Sequence, residues 1–90
     1  MAKPSSEVVW TRVLGCEGQV FTQIRGGEFS YLCSGESIDL SRTNQKIHRS
    51  QFEMAYEMVP LQSTIALQHL RAPSYLYAIL MDPRIRREDW

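Results

Sequence analysis

Ninety residues, with ten basic side chains against ten acidic ones, make a small neutral chain that is 43% apolar and 22% charged. That balance excludes a disordered tail, a collagen-like repeat and a disulfide-dense mini-protein. No run approaches the roughly 18–20 apolar residues of a membrane span, so no membrane role is expected.

A chain of this size buries about two thirds of its unfolded surface, enough for one core. Residues 1–90 are expected to form one domain, and self-association would add to that core. The two cysteines, Cys16 and Cys33, form no CxxC pair. Met1-Ala2-Lys3-Pro4-Ser5-Ser6-Glu7 has no apolar leader, so a cytoplasmic, reducing setting is expected. Residues 1–6 read as a disordered lead-in.

In chain order, Val8–Leu14 is rich in β-branched and aromatic residues and reads as a strand. Gly15-Cys16-Glu17-Gly18 reads as a turn, and Gln19–Arg25 and Glu28–Ser34 alternate on either side of Gly26-Gly27, a hairpin signal. Gly35-Glu36 turns the chain again into Ser37–Leu40. The three turns set a register: Val13 opposite Val20, Thr11 opposite Thr22, Val9 opposite Ile24, then Ile24 opposite Phe29, Thr22 opposite Tyr31, Cys33 opposite Ile38 and Tyr31 opposite Leu40. Paired residues share a face. One face then collects Val9, Thr11, Val13, Val20, Thr22, Ile24, Phe29, Tyr31, Cys33, Ile38 and Leu40, apolar or threonine throughout. The other carries Trp10, Arg12, Phe21, Leu32 and Asp39 among polar residues.

Residues 41–49 read as a polar connection. Ser50-Gln51-Phe52-Glu53 then matches a capping box, and Phe52, Ala55, Tyr56 and Val59 follow as one helical stripe ended by Pro60. Ser63 caps a short helix with Ile65, Leu67 and Leu70. Pro73 opens a helix over Ser74–Asp82 with Leu76, Ile79 and Leu80 inward, and Pro83 ends it. The fold class is α+β: a four-stranded antiparallel β-meander followed by two or three short α-helices packed on one face.

Chemistry-bearing patterns are sparse. Cys16, Cys33, His48 and His69 lack zinc-ligand spacing, so no metal site and no cofactor are expected. No nucleophile elbow is present, and Gly26-Gly27 does not join a strand to a helix as a phosphate loop would. Glu53 and Glu57 share a helix face, but capping and solvation account for them. An enzyme would need a pocket, for which His48, Glu53 and Tyr75 are the candidates. Arg42, Lys46, His48 and Arg49 crowd the approach to a helix N-terminus, a pattern suited to an anion or to the phosphates of a nucleic acid. Arg84, Arg86 and Arg87 form a second basic cluster. Trp10, Arg12, Phe21 and Leu32 on the outward face suit a second copy of the chain, a homodimer being favoured, stacking against single-stranded bases, or cover by a helix or by the tail with Trp90.

Two stretches, Arg42-Thr43-Asn44-Gln45-Lys46-Ile47-His48-Arg49-Ser50-Gln51-Phe52-Glu53 and Arg71-Ala72-Pro73-Ser74-Tyr75-Leu76-Tyr77-Ala78-Ile79-Leu80-Met81-Asp82-Pro83-Arg84-Ile85, resemble small uncharacterised bacterial proteins carried in mobile gene cassettes, the integron cassette proteins. The resemblance implies a bacterial, cytoplasmic accessory protein and carries over no activity and no site residue. The reading expected from the residues is a non-catalytic, self-associating protein-interaction module, with a nucleic-acid-binding module as the alternative and a small-molecule enzyme as the third.

Overall fold

The computed structural model describes residues 3–90. In chain order it contains α1 (Ser6–Gly15), β1 (Phe21–Thr22), β2 (Glu28–Phe29), β3 (Tyr31–Ser34), β4 (Ser37–Leu40), β5 (Lys46–His48), α2 (Arg49–Tyr56), a 3-10 turn (Ile65–Leu67), α3 (Pro73–Leu80) and α4 (Pro83–Arg86). The α+β class holds, with antiparallel sheets β1–β2 and β3–β4–β5.

The first expected strand is a helix. Ser5 accepts a hydrogen bond from the Val8 N–H, Glu7 lies in the first turn and Arg12 in the last, so caps and charges suit a helix at both ends. Val9, Trp10, Val13 and Cys16 form a buried helical stripe. The β-branched residues cost a helix only a few tenths of a kcal/mol each, whereas burying each large apolar side chain returns about 1.5–3 kcal/mol. Packing therefore overrides propensity. The expected lead-in is also tied down where it is described: Lys3 Nζ donates to the Tyr56 carbonyl at 2.9 Å, and the Tyr56 hydroxyl donates to the Pro4 carbonyl. Met1 and Ala2 lie outside the described residues.

The first hairpin pairs Phe21 with Phe29 and Thr22 with Glu28, three residues away from the expected register. The Gln23 N–H donates to the Gly27 carbonyl at 2.7 Å and the Gly26 N–H to the Gln23 carbonyl at 2.8 Å. The loop is thus Ile24-Arg25-Gly26, and Gly26, at φ +90°, takes the left-handed position such a three-residue loop requires. An odd shift exchanges the faces of a strand. Phe21 turns inward, and Val20 and Ile24, assigned to the core from the sequence, are exposed.

The second hairpin keeps its expected register, Tyr31 with Leu40, Cys33 with Ile38 and Ser34 with Ser37, around Gly35 at φ +61°. β5 is a strand inside the stretch read as a polar connection; it pairs Ile38 with Ile47 and Asp39 with Lys46. Helix α2 begins one residue before the expected capping box: His48 Nδ1, not Ser50, accepts the capping bond, from the Ser50 N–H. Its stripe of Phe52, Ala55, Tyr56 and Val59 is buried as expected. So are Leu76, Ile79 and Leu80 on α3, while Pro83 opens α4 instead of only ending α3. The helices and the inward faces of both sheets share one core cluster that runs from Val9 to Ile85.

Candidate functional site

Three of the four proposed interface residues serve the interior. Trp10 is 6% exposed and packs on Phe52 at 5.5 Å between ring centroids. Phe21 is fully buried, between Phe29 at 5.9 Å and Tyr31 at 5.4 Å, with the Arg84 guanidinium 4.1 Å from its ring centroid. Arg12 is held inside the chain, with Nη1 donating to the Ile85 carbonyl at 2.9 Å and Nη2 2.7 Å from Asp89. The helical geometry of α1 moved Trp10 and Arg12, and the register shift moved Phe21. Neither Trp10 nor Phe21 offers a ring to a base or to a second chain.

Leu32 remains outward, 63% exposed. Alternation along β3–β4–β5 and the registers place Leu32, Asp39 and Lys46 in one row across the outer face, and Ser34, Ser37 and His48 in the next. The Arg49 N–H to Glu36 carbonyl bond and the Leu40 N–H to Gln45 carbonyl bond make the pairs Ser37/His48 and Asp39/Lys46 the non-hydrogen-bonded kind, whose side chains lie closest. Lys46 Nζ stands 3.7 Å from Asp39, with both side chains well exposed. The patch is therefore one branched apolar side chain over short hydroxyls, flanked by a loose pair of opposite charges. The pair follows from the strand register, which a reading of residues 46–48 as loop does not contain.

The four proposed anion-binding residues do not act as a block. Arg49 lies 3.6 Å from Glu36 and 3.7 Å from Glu53, and its guanidinium carbon is 6.0 Å from the Trp10 ring centroid. Lys46 has Asp39. Arg42 reaches back to the Glu28 carbonyl at 3.3 Å and lies against Gly27. His48 uses Nδ1 as the cap acceptor, with Ser50 Oγ 3.0 Å away. Lys46 thus has Asp39 beside it and Arg49 has Glu36 and Glu53, so the charges of these two cations are locally balanced. In the second basic cluster, Arg84 is forked onto Asp82 and Arg86 donates to the Trp90 carbonyl.

The residues suggested for an enzyme pocket serve separate neighbourhoods. His48 caps α2, Glu53 pairs with Arg49, and Tyr75 meets Phe29 edge-on at 4.8 Å. An open cleft of about 360 Å³ runs along α1, lined by Val8, Thr11, Arg12, Gly15, Cys16 and Arg87. Arg12 Nε is buried without a partner there, but it has no accessible surface to offer a ligand. The displaced titrations have structural causes. Burial pushes the Tyr31 phenol far up, while its hydroxyl donates to the Val13 carbonyl at 2.5 Å. Burial, then the Glu17 carboxylate, raises the Cys33 thiol. Among the described residues, no group of three His, Cys, Asp or Glu side chains could hold a metal ion, and no helix is long and apolar enough to cross a membrane.

No protein-family model, curated protein or solved structure matches the chain.

Proposed function

We propose that the protein is a non-catalytic interaction module that self-associates through the outer face of β3–β4–β5. The carrying observation is Leu32, 63% exposed on a strand face and surrounded by Ser34, Ser37 and the Asp39–Lys46 pair. A face with one carboxylate and one ammonium in the same row is complementary to itself under a twofold axis, because Asp39 of one copy can meet Lys46 of the other. A face for nucleic acid would carry one sign. The patch also limits the strength: strands about 4.8 Å apart and about 3.4 Å per residue give a face of about 200 Å², against about 800 Å² per partner in a stable interface. The association is weak and concentration-dependent.

Sedimentation between about 10 μM and about 1 mM tests it. The average mass should rise with concentration, Leu32→Asp should keep the chain monomeric, and Asp39→Lys should weaken association until Lys46→Asp restores it. A monomer throughout that range rejects this reading. Binding of an oligonucleotide that falls steeply with salt and is lost in Arg42→Glu/Arg49→Glu would replace it with the nucleic-acid reading.

A further inference from the structure

The last residues of the chain occupy a site that treats them as a ligand. The Trp90 indole meets the Tyr56 ring edge-on at 4.9 Å between centroids, and its Nε1–H donates to the Leu80 carbonyl at 2.9 Å. The Trp90 carbonyl accepts from Arg86, and the Asp89 carboxylate lies 2.7 Å from Arg12 Nη2. Each chemical part of an Asp-Trp dipeptide therefore has its own reader: a guanidinium for the acid, a carbonyl for the indole N–H, an aromatic edge for the ring and a second guanidinium for the main-chain oxygen. The readers are fixed from behind. Arg12 is 14% exposed and also bonded to the Ile85 carbonyl, and Tyr56 is held by Pro4, with Lys3 Nζ 4.5 Å from its ring centroid.

The tether, by contrast, is strained. Arg87 and Glu88 are consecutive non-glycine residues at φ +46° and +62°, and residues 87–89 are exposed. Left-handed backbone at a residue with a Cβ is unfavourable. Seating Asp89 and Trp90 must offset that strain at both positions, so the readers hold the dipeptide more tightly than the bound segment shows. A segment free of the strain would bind better per contact.

We propose that Arg12, Tyr56, Leu80 and Arg86 form a recognition socket for an acidic–aromatic segment of another protein, an Asp followed by a Trp, and that Asp89-Trp90 is its internal, displaceable occupant. A second copy of this chain is not the occupant, because its own dipeptide is already seated at the roughly millimolar effective concentration of a short tether. The socket is independent of the outer face of β3–β4–β5.

The test uses the full chain carrying Asp89→Ala/Trp90→Ala, which vacates both halves of the socket, titrated with acetyl-Gly-Asp-Trp-amide and followed by amide chemical shifts. Saturable binding is expected, with Kd on the order of 0.1–1 mM, about tenfold weaker for the Asn-Trp peptide and absent for Asp-Leu. Arg12→Gln in the same background should abolish the preference for Asp over Asn. A folded Asp89→Ala/Trp90→Ala chain with no saturable shift, or with equal affinity for the Asp and Asn peptides, overturns the proposal. Should that variant fail to fold, hydrogen exchange of the Trp90 indole N–H decides. Arg87→Gly/Glu88→Gly should slow it and Asp89→Asn should speed it, each about tenfold, and no change in either overturns the socket.

Discussion

Arg84 fastens the helical half of the chain to β1, and its removal should unfasten both. Its Nε and Nη2 fork onto Asp82 at 2.9 and 3.0 Å, Nη1 donates to Gln19 Oε1 at 2.9 Å and Nη2 to the Val20 carbonyl at 2.7 Å. The guanidinium carbon also stands 4.1 Å from the Phe21 ring centroid. Arg84→Ala loses all of these. Because the side chain is 38% exposed, screening reduces the ion pair to about 0.5–1 kcal/mol. The cation–π contact adds about 0.5–1 kcal/mol and the remaining hydrogen bonds about 1 kcal/mol. The sum, about 2–3 kcal/mol, corresponds to a fall in Tm of about 10–20 °C for a domain of this size. Arg84→Met, which keeps an apolar stem over Phe21, should fall between. The pH dependence gives a second reading. Burial alone would raise the Asp82 carboxyl, but the hydrogen bonds and charge of Arg84 outweigh it and hold it below its usual value. A depressed carboxylate contributes stability above the ordinary carboxylate range, and that contribution is lost as pH falls through the folded value. In Arg84→Ala the side-chain hydrogen bonds and the charge are lost while the residue 84 N–H still donates to Asp82, so this part of the acid-induced loss should shrink. Melting curves by circular dichroism between about pH 7 and about pH 3 measure both effects. A variant that melts within about 3 °C of the parent, with the same acid slope, refutes the reasoning.

Two further predictions concern smaller features. Ala72, the residue before α3, sits at φ +51° and ψ +58° with no side-chain cap; Ala72→Gly removes the left-handed penalty at some entropic cost and should raise stability by about 0.5–1 kcal/mol, seen as a higher urea midpoint, while a lower midpoint contradicts it. Burial first and then Glu17 hold the Cys33 thiol above its usual value, and the Cys33 N–H donates to Glu17 Oε2 at 2.6 Å; Glu17→Gln should therefore speed alkylation of Cys33 near pH 8 by about two- to fivefold, and an unchanged rate removes Glu17 as a cause.

The parts of the fold legible in the sequence are those where a local signal and the core demand agree. Gly35-Glu36 fixed the register of β3 and β4 because a two-residue turn admits one pairing, and Tyr31, Cys33, Ile38 and Leu40 then fall on one face. The stripes on α2 and α3 were legible for the same reason, since Pro60 and Pro73 bracket runs with helical spacing. The misreadings occur where two local signals compete. Val8-Val9-Trp10 has strand composition, but Ser5, Glu7 and the spacing of Val9, Val13 and Cys16 are helical, and burial decides between them. Gly26-Gly27 supports more than one loop, and the loop with Gly26 left-handed is the one that buries Phe21 against Phe29 and Tyr31. The alternative would have buried Val20 and Ile24, smaller side chains with less area to remove from water.

The candidate site shows how a single missed strand changes a functional reading. Arg42, Lys46, His48 and Arg49 crowd one stretch of the sequence, and with that stretch read as a loop without a partner strand their charges stand alone and resemble a phosphate surface. Once residues 46–48 pair with β4, register places Asp39 beside Lys46, and the end of the ladder brings the Glu36 carbonyl to the Arg49 N–H and the Glu36 carboxylate toward its guanidinium. The same pairing lays Leu32, Asp39 and Lys46 in one row, turning a basic loop into a neutral face with an apolar centre. The signal was present in Lys46-Ile47-His48, whose alternation is as regular as that of Ser37-Ile38-Asp39. It was weak because a strand of three residues carries only one buried side chain, Ile47. Charge on a segment this short is therefore interpretable only after the segment's neighbours are known, and a loop of cations in a neutral chain is better read first as half of a ladder.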